Sequence, residues 1–363
     1  MAAGIRRIAI LGTGLIGASV GLAAARAGVE QVAGFDPDPE ALALAAERGA
    51  VVPAASVEEA VAGADLAVCA GPVATLPAQI EEALAAGSCT VTDVGSTKAA
   101  VCAAAQSPRF IGGHPVAGSE AHGPAHARAE LFENATWFLT PAAETDPEHY
   151  RLLHGFVASV GALPVAVAPG AHDRLLALTS HLPHALSNLL LNQVGSSRVD
   201  GHEALSAAGG ALRDMTRVAG ANPRIWVDIF LENAGPLAGA LAEHRRRVEQ
   251  LEAALDARDA GFLARWIGEA GVNKRGLLQS AFPDPGALQR VLVRVPDRPG
   301  VLAGITQALG AERINIEDFE LHHDSPERGG ILSVLVAGEA EAARAAALLE
   351  SQGYSVDVAP VLE

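Results

Sequence analysis

The sequence predicts an α/β protein of three parts: an N-terminal doubly wound parallel sheet, an all-helical middle region and a small C-terminal βαββαβ unit. Short apolar runs alternate with alanine-rich helical stretches over roughly the first 165 residues. Long periodic segments follow, and mixed α/β patterning returns after a proline-rich linker. A chain of 363 residues is also too long for one ordinary core. We expect domains at 1–168, 169–281 and 289–363.

Strand and helix patterns alternate in the N-terminal region, which is typical of a mostly parallel sheet. The predicted strands cover residues 7–11, 31–36, 66–71, 90–94, 110–113 and 136–140. The predicted helices between the early strands cover residues 14–27, 39–48 and 75–86. The uncharged run at 8–25 follows two arginines and has the outline of a signal peptide. Its glycines interrupt it where a strand turns into a helix, so we assign it to a soluble domain.

The middle and C-terminal regions differ in their periodicity. Long helical patterns cover residues 173–193, 201–218, 223–256 and 260–278, and such apolar-faced helices commonly pack against a second subunit, so a homodimer is expected. Residues 282–286 form a linker by composition. The tail then predicts strands at 289–295, 315–322, 330–336 and 355–361, with helices from Gly300 and at 339–352 and a turn at 324–329. This order, βαββαβ, is the ferredoxin-like pattern.

Charge and cysteine content exclude some classes of function. The formal net charge of −16 disfavours a general role on nucleic acid or on a membrane surface, since both need a basic face. An anionic substrate would therefore need a locally basic pocket. Cys69, Cys89 and Cys102 are too few and too widely spaced for a disulfide framework or a zinc site. They predict buried thiols in a reducing cytoplasm.

A glycine motif at the end of the first predicted strand predicts a dinucleotide site. Gly12 and Gly14 permit a tight turn and a close approach of the backbone to a pyrophosphate, and Gly17 lets the helix pack on the strand. Asp36 closes the second strand, where a carboxylate binds an adenosine ribose and repels a 2′-phosphate. The pattern indicates a Rossmann-type domain that binds NAD rather than NADP. The expected cofactor residues are Gly12, Gly14, Leu15, Ile16, Gly17 and Asp36.

Two further segments of the N-terminal region carry candidate catalytic groups. Ser96 and Lys98 follow a predicted strand end, where Ser96 could donate to a substrate or nicotinamide oxygen and Lys98 could bind a carboxylate. The alternative is a helix N-cap at Ser96 beside a solvated Lys98. His114 lies in a loop bounded by glycine and proline, and its neutral imidazole can accept a proton. The alternative is a loop histidine that bonds to backbone.

The helical region adds candidate substrate contacts. His181 and His184 could share a helix face, but no third ligand follows at metal spacing, so we expect a substrate-facing role for one of them and no metal. Arg213 and Arg217 are predicted on one face of a helix, and Trp226 follows. Arginine suits a carboxylate because its planar fork pairs bidentately. The alternative is an exposed pair of surface charges.

The motifs together resemble the prephenate/arogenate dehydrogenase family. The segments GTGLIG, DVGSTK, GGHPVAGSE, SHLPH and DMTRVAGANPRIW carry the resemblance, which covers about residues 6–278. The tail segments at 295–301 and 315–319 look like an ACT domain, a module that often binds amino acids. Val116 and Ala121 depart from the family pattern, and the second change alters the expected charge near the pocket entrance.

The resemblance implies a role for each candidate residue. His114 would accept the proton of the ring hydroxyl while hydride leaves the same carbon for the nicotinamide of NAD. Ser96 would assist at that hydroxyl, and Arg217 would hold a substrate carboxylate. The residues expected at the wall of the substrate pocket are His184, Trp226 and Glu120.

The implied reaction is NAD-dependent oxidative decarboxylation of prephenate to 4-hydroxyphenylpyruvate, a step of tyrosine biosynthesis. Arogenate remains open as the substrate, because no residue distinguishes its amino group from a keto group. A β-hydroxyacid dehydrogenase is disfavoured, because that group uses a lysine at the start of the interdomain helix and this chain has none between Lys98 and Lys274. A non-catalytic sensor of NAD and amino acids is disfavoured by the retained His114, Ser96 and Arg217.

The ACT-like tail suggests feedback control by tyrosine, the pathway product. The turn at 297–300 opens a helix whose backbone N–H groups could bind an effector carboxylate. The candidate effector residues are Asp297, Gly300 and Asn315. The alternative is a purely structural or dimerising tail.

Overall fold

The computed structural model describes residues 4–117, 121–281, 287–325 and 329–361. The chain divides into two compact units, Met1–Arg245 and Arg246–Glu363. Among the described residues, no helix combines the length and apolar character needed to cross a membrane. The uncharged run near the N-terminus forms a strand and a helix, as predicted.

Within the described residues, the first unit is built on a sheet of eight strands. They are β1 (Arg7–Leu11), β2 (Gln31–Phe35), β3 (Val52–Pro53), β4 (Leu66–Cys69), β5 (Thr90–Asp93), β6 (Phe110–Pro115), β7 (Thr136–Thr140) and β8 (Leu163–Ala166). The strand order is β3-β2-β1-β4-β5-β6-β7-β8. Neighbours from β3 to β6 are parallel, β7 runs antiparallel to β6, and β8 is parallel to β7. The predicted doubly wound sheet is confirmed, and β3 and β8 are additions to it.

Helices cover both faces of this sheet. They are α1 (Leu15–Arg26), α2 (Pro39–Glu47), α3 (Val57–Val61), α4 (Leu76–Ala86), α5 (Ala99–Ala104) and α6 (Pro147–Ser159). Alternate residues of β1 enter opposite cores, because successive strand side chains point to opposite faces. Ile8 and Ile10 pack in one apolar cluster, and Ala9 and Leu11 pack in the other.

The middle region is mainly helical, but it is more broken than the periodicity predicts. Its helices are α7 (Pro169–Leu176), α8 (Leu182–Ser196), α9 (Gly210–Met215), α10 (Pro223–Glu232), α11 (Ala234–Asp256) and α12 (Ala260–Ala281). A π-helical turn, Ala177–His181, joins α7 to α8. The helix predicted at 201–218 is wrong: a short hairpin of β9 (Arg198–Val199) and β10 (His202–Glu203) precedes the brief α9. Glycines at 201, 209 and 210 explain the break, because glycine is a poor helix former.

The second unit contains the predicted βαββαβ fold. Its elements after α12 are β11 (Leu288–Val295), α13 (Val301–Ala311), β12 (Asp318–Ser325), β13 (Gly329–Ala337), α14 (Glu339–Ser351) and β14 (Ser355–Pro360). The strand order is β12-β13-β11-β14, and all paired strands are antiparallel. Apolar residues of β11, β13 and both helices form the core. The predicted turn at 324–329 lies partly outside the described residues.

Candidate active site

The glycine motif forms the turn between β1 and α1. Gly12 has φ 98°, and a Cβ on it would meet the backbone of Ala70 at 2.7 Å. A Cβ on Gly17 would collide with the carbonyl of Gly12, so helix and strand pack as closely as the motif predicts. Around Gly14, by contrast, the Cβ position meets no described atom within 4 Å.

This turn fits a dinucleotide. Gly14 is the N-cap of α1 and makes no side-chain capping bond in the described structure, so the first N–H groups of α1 face open space. Asp36 follows β2, and its Oδ2 accepts hydrogen bonds from the N–H (2.6 Å) and hydroxyl (3.1 Å) of Thr13. The carboxylate is therefore held beside the glycine turn, where a ribose would lie. Leu15 and Ile16 are the first two residues after the turn, at the start of α1.

A buried ion pair lies under the turn that carries Ser96. Lys98 and Asp93 are both fully buried, and the Lys98 ammonium contacts Asp93 Oδ2. The same carboxylate accepts N–H bonds from Gly95 (2.8 Å) and Gly113 (3.0 Å). The alternative of a solvated Lys98 is thus wrong, and the N-cap of α5 is Lys98 rather than Ser96. Ser96 is half-buried in this turn.

His114 lies within β6 rather than in a loop, which corrects the sequence interpretation. It pairs with Phe138 of β7, so strand pairing fixes its backbone. Gly113 brings β6 against β5, because a Cβ there would meet Thr92 Oγ1 at 2.7 Å. The His114 side chain is 8% exposed. Burial, together with the nearby His172, Lys98 and His181, lowers its pKa well below the ordinary histidine value, so the imidazole is neutral at pH 7.

A series of hydrogen bonds leads from His114 to two residues that the sequence analysis gave no role: His172 contacts His114, and Asp173 contacts His172. His114 Nδ1 lies 2.8 Å from His172 Nε2, and His172 Nδ1 lies 2.8 Å from Asp173 Oδ1. His172 is fully buried and Asp173 is 3% exposed. Their sequence signal was the adjacent pair His172-Asp173, which carries no motif of its own. The fold brings them to His114, 58 residues away.

His181 and Asn233 continue this polar cluster. The Asn233 side-chain amide donates to the carbonyl of Asp173 (2.8 Å) and to His181 Nδ1 (2.9 Å). His181 is 1% exposed, and burial lowers its pKa to about 4 although the Asp173 charge opposes this. His181 is therefore neutral at pH 7 and carries its proton on Nε2.

The predicted substrate contacts come together on α8, α10 and the turn after α9. The rings of His184 and Trp226 are stacked, with centroids 3.5 Å apart. His184 Nδ1 donates to the carbonyl of Ser180. Burial lowers the pKa of His184, and the positive charge of Arg217 adds to this effect. The predicted helix face shared by Arg213 and Arg217 is wrong, because α9 ends at Met215 and Arg217 lies in the exposed turn that follows.

Helix α8 fixes the turn that carries Arg217. Ser187 Oγ donates to the carbonyl of Met215 (3.1 Å), and Asn188 Oδ1 accepts from the N–H of Gly220 (3.1 Å). These bonds hold both ends of the turn against the helix that carries His184. A cation is therefore presented on a fixed backbone, as carboxylate recognition requires.

The remaining candidate residues lie elsewhere. Glu120 is outside the described residues. In the second unit, Asp297 and Asn315 are exposed, and Gly300 is the N-cap of α13 with φ 89°. Asn315 precedes β12 instead of lying in it as predicted, and its amide donates to Glu317 (2.8 Å).

Comparison with known proteins gives the family. Sequence models of the prephenate dehydrogenase nucleotide-binding and dimerization domains match residues 20–165 and 168–269, and that of the ACT domain matches 289–353. A Bacillus subtilis prephenate dehydrogenase is 32% identical over 95% of this chain and 96% of its own.

Solved structures agree with this match. The crystal structure of A. aeolicus prephenate dehydrogenase in complex with hydroxyphenyl propionate and NAD+ has a TM-score of 0.72 at 26% identity, over 76% of this chain and 100% of that one. A Synechocystis arogenate dehydrogenase has a TM-score of 0.67 at 28% identity, over 74% and 98% of the two chains. With its glycine turn, its buried histidine and its C-terminal βαββαβ unit, this chain belongs to the prephenate dehydrogenase family.

Proposed function

We propose that the protein is an NAD-dependent dehydrogenase that converts prephenate to 4-hydroxyphenylpyruvate and carbon dioxide in tyrosine biosynthesis. The observation that carries this is the buried, neutral His114 near the carboxyl end of β6, in a sheet that also presents a dinucleotide turn. The Bacillus subtilis relative is a prephenate dehydrogenase, and the A. aeolicus relative was solved with NAD+ and hydroxyphenyl propionate.

The proposed chemistry needs one proton acceptor and fixed cations. NAD+, when bound at Gly12–Gly17 and Asp36, supplies the acceptor for the hydride that leaves the ring carbon. His114 takes the hydroxyl proton of that carbon, and Ser96 donates a hydrogen bond to the same oxygen. The carbon–carbon bond to the ring carboxylate then breaks, its electron pair enters the ring, and the ring oxygen takes the proton back from His114. Aromatisation drives this loss of carbon dioxide.

The substrate test separates two candidates within one assay. We expect NADH absorbance to rise with prephenate, and the reaction to be much slower with NADP+ in place of NAD+; the same assay with arogenate ranks the two substrates. The repulsion of a 2′-phosphate by Asp36 is the reason for the preference for NAD+. Arogenate is the second candidate because a Synechocystis arogenate dehydrogenase shares the fold. Absence of turnover with both substrates would contradict the proposed function.

Arg217→Ala should raise the KM for prephenate by roughly 10- to 100-fold and change kcat little. A charge-assisted bond to a substrate carboxylate contributes about 1.5–3 kcal/mol, and it acts on the bound substrate as much as on the transition state. Steady-state kinetics measure both constants.

Arg213→Ala is the matched control for that variant. Arg213 is an exposed arginine on α9, one turn before Arg217. The KM of Arg213→Ala for prephenate should stay near the wild-type value. An unchanged KM for Arg217→Ala would move the carboxylate site elsewhere, and equal effects of the two variants would indicate a general loss of positive charge.

The assembly and regulation follow from the two other regions. We infer a homodimer through the region that matches the dimerization domain, and domains at 1–168, 169–281 and 289–363. We infer that tyrosine binds the ACT domain near Asp297, Gly300 and Asn315, supported by the uncapped N-terminus of α13 in the described structure. Unchanged activity in millimolar tyrosine would favour a structural tail.

The three cysteines, all described and free, fit a cytoplasmic enzyme.

A further inference from the structure

The series His114, His172 and Asp173 has a fixed direction. A carboxylate can only accept hydrogen bonds, so His172 donates from Nδ1 to Asp173 and its Nε2 keeps a lone pair. His114 must then donate from Nδ1 to that lone pair. The lone pair of the neutral His114 ring is left on Nε2, the nitrogen that faces away from His172.

The charge of Asp173 is secured by its other partners. Its Oδ1 accepts the N–H of Lys98 and its Oδ2 accepts the N–H of Ala99, each at 2.8 Å. Burial raises the Asp173 pKa, but the bonds from His172 and from these amides outweigh burial and lower it below the ordinary value. Asp173 is therefore a carboxylate at neutral pH.

The His172 ring has little freedom to turn. It meets His114 edge-on, with centroids 5.1 Å apart, and meets Phe138 edge-on at 5.3 Å. Phe138 is also the strand partner of His114. Both histidine rings are thus held by packing as well as by hydrogen bonds, as a preorganised site requires.

We propose that His172 and Asp173 are positioning residues that fix the tautomer and orientation of His114, so that its Nε2 accepts the proton of the substrate hydroxyl. This inference rests on the proposed function for the source of that proton. Proton uptake puts a positive charge on a buried ring, and the polarised series that ends at the Asp173 carboxylate stabilises this charge. Without the series, neutral His114 could equally carry its proton on Nε2. In that tautomer Nε2 has no free lone pair, so it could not accept the proton of the substrate hydroxyl.

A purely structural role for Asp173 is the competing explanation. Its two backbone bonds satisfy the first N–H groups of α5, whose own N-cap, Lys98, makes no side-chain capping bond in the described structure. If Asp173 only caps α5, its loss should lower stability and leave the His114 tautomer unchanged.

Asp173→Asn distinguishes the two roles. An amide has one accepting oxygen: in one orientation its NH₂ group faces the N–H of Ala99, and in the other it faces His172 Nδ1 and the N–H of Lys98. Donation by His172 Nδ1 is therefore no longer enforced. We expect kcat to fall by roughly 10²- to 10⁴-fold, as for loss of the correct tautomer in a histidine–aspartate pair, with the KM for prephenate nearly unchanged. In ¹⁵N-histidine NMR of the full chain without substrate, the His114 proton should move from Nδ1 toward Nε2. The ring signals that are missing from the spectrum of His114→Asn identify those of His114.

Asp146→Asn is the matched control. Asp146 is the N-cap of α6 and accepts the N–H of Glu148 (2.7 Å). Asparagine caps a helix nearly as well as aspartate, so removing this capping charge should leave the melting temperature, kcat and the His114 tautomer close to wild-type values. A second pair of variants, His172→Gln and His172→Phe, tests His172. The glutamine side-chain oxygen can accept from His114 Nδ1 and the phenyl ring cannot, so the kcat of His172→Gln should be at least about tenfold higher than that of His172→Phe.

Two outcomes would overturn the proposal. One is an Asp173→Asn protein whose melting temperature falls while its kcat and His114 tautomer stay at wild-type values. The other is equal activity of the His172→Gln and His172→Phe proteins. A wild-type protein that turns over neither prephenate nor arogenate contradicts the proposed function, whereas the NMR tautomer still decides the positioning role.

Discussion

His114→Asn should lower kcat by roughly 10²- to 10⁴-fold, the range expected when a general base is removed. Asparagine cannot take up a proton at neutral pH, whereas the buried imidazole is neutral and ready to accept one. The dissociation constant for NAD+ should not change, because the glycine turn follows β1 and Asp36 follows β2, whereas β4 and β5 separate β1 from the strand that carries His114. Steady-state kinetics and a nucleotide-binding titration measure the two effects.

The pH profile gives an independent check on the same residue. Burial lowers the His114 pKa, so the base form persists below the ordinary histidine value of about 6.5. In the wild type, kcat/KM should therefore fall only as the pH drops through this lowered pKa, and the His114→Asn protein should lack that limb. His149→Asn is the control, since His149 lies on α6 and bonds to Thr90 at the start of β5, outside the His114 series. Near-normal turnover of His114→Asn would remove this residue from the proposed role.

Lys98→Met should lower the free energy of unfolding by about 3–5 kcal/mol, because it leaves the Asp93 carboxylate buried without its cation. Asp93 also accepts hydrogen bonds from the N–H groups of Gly95 and Gly113. An unpaired charge on Asp93 should therefore disturb both the turn that carries Ser96 and the strand that carries His114. We expect a lower urea midpoint together with a reduced kcat.

The double variant Lys98→Met/Asp93→Asn removes both charges and should recover part of the lost stability, because a neutral amide is less costly to bury than an unpaired carboxylate. Lys274→Met is the matched control: it removes the other lysine of the chain, which is exposed on α12, and should change stability by less than about 0.5 kcal/mol. A double variant as unstable as Lys98→Met would show that the ion pair is not the cause.

Local patterns were sufficient for much of the fold. The alternation of apolar strands with helices predicted the sheet of the first unit and the βαββαβ order of the second, since both depend on periodicities that lie within short segments. The patterns failed at 201–218, where glycines break a helical periodicity, and at Arg217, which lies past the end of α9. Short strands such as β3 and β8 were missed, because they are recruited by pairing with neighbours already in the sheet.

The sequence by itself determined the glycine turn, the acid after β2 and His114 as the proton acceptor to test, because each signal is a residue type at fixed spacing from a strand end. Only the tertiary structure decided what surrounds that histidine. Asp173 bonds to the α5 amides from 75 residues away, and His172 reaches His114 across 58. The sequence left open whether Lys98 was a surface charge, and the structure shows it buried in an ion pair with Asp93. Contacts between distant segments depend on how whole elements pack, and no local periodicity encodes them.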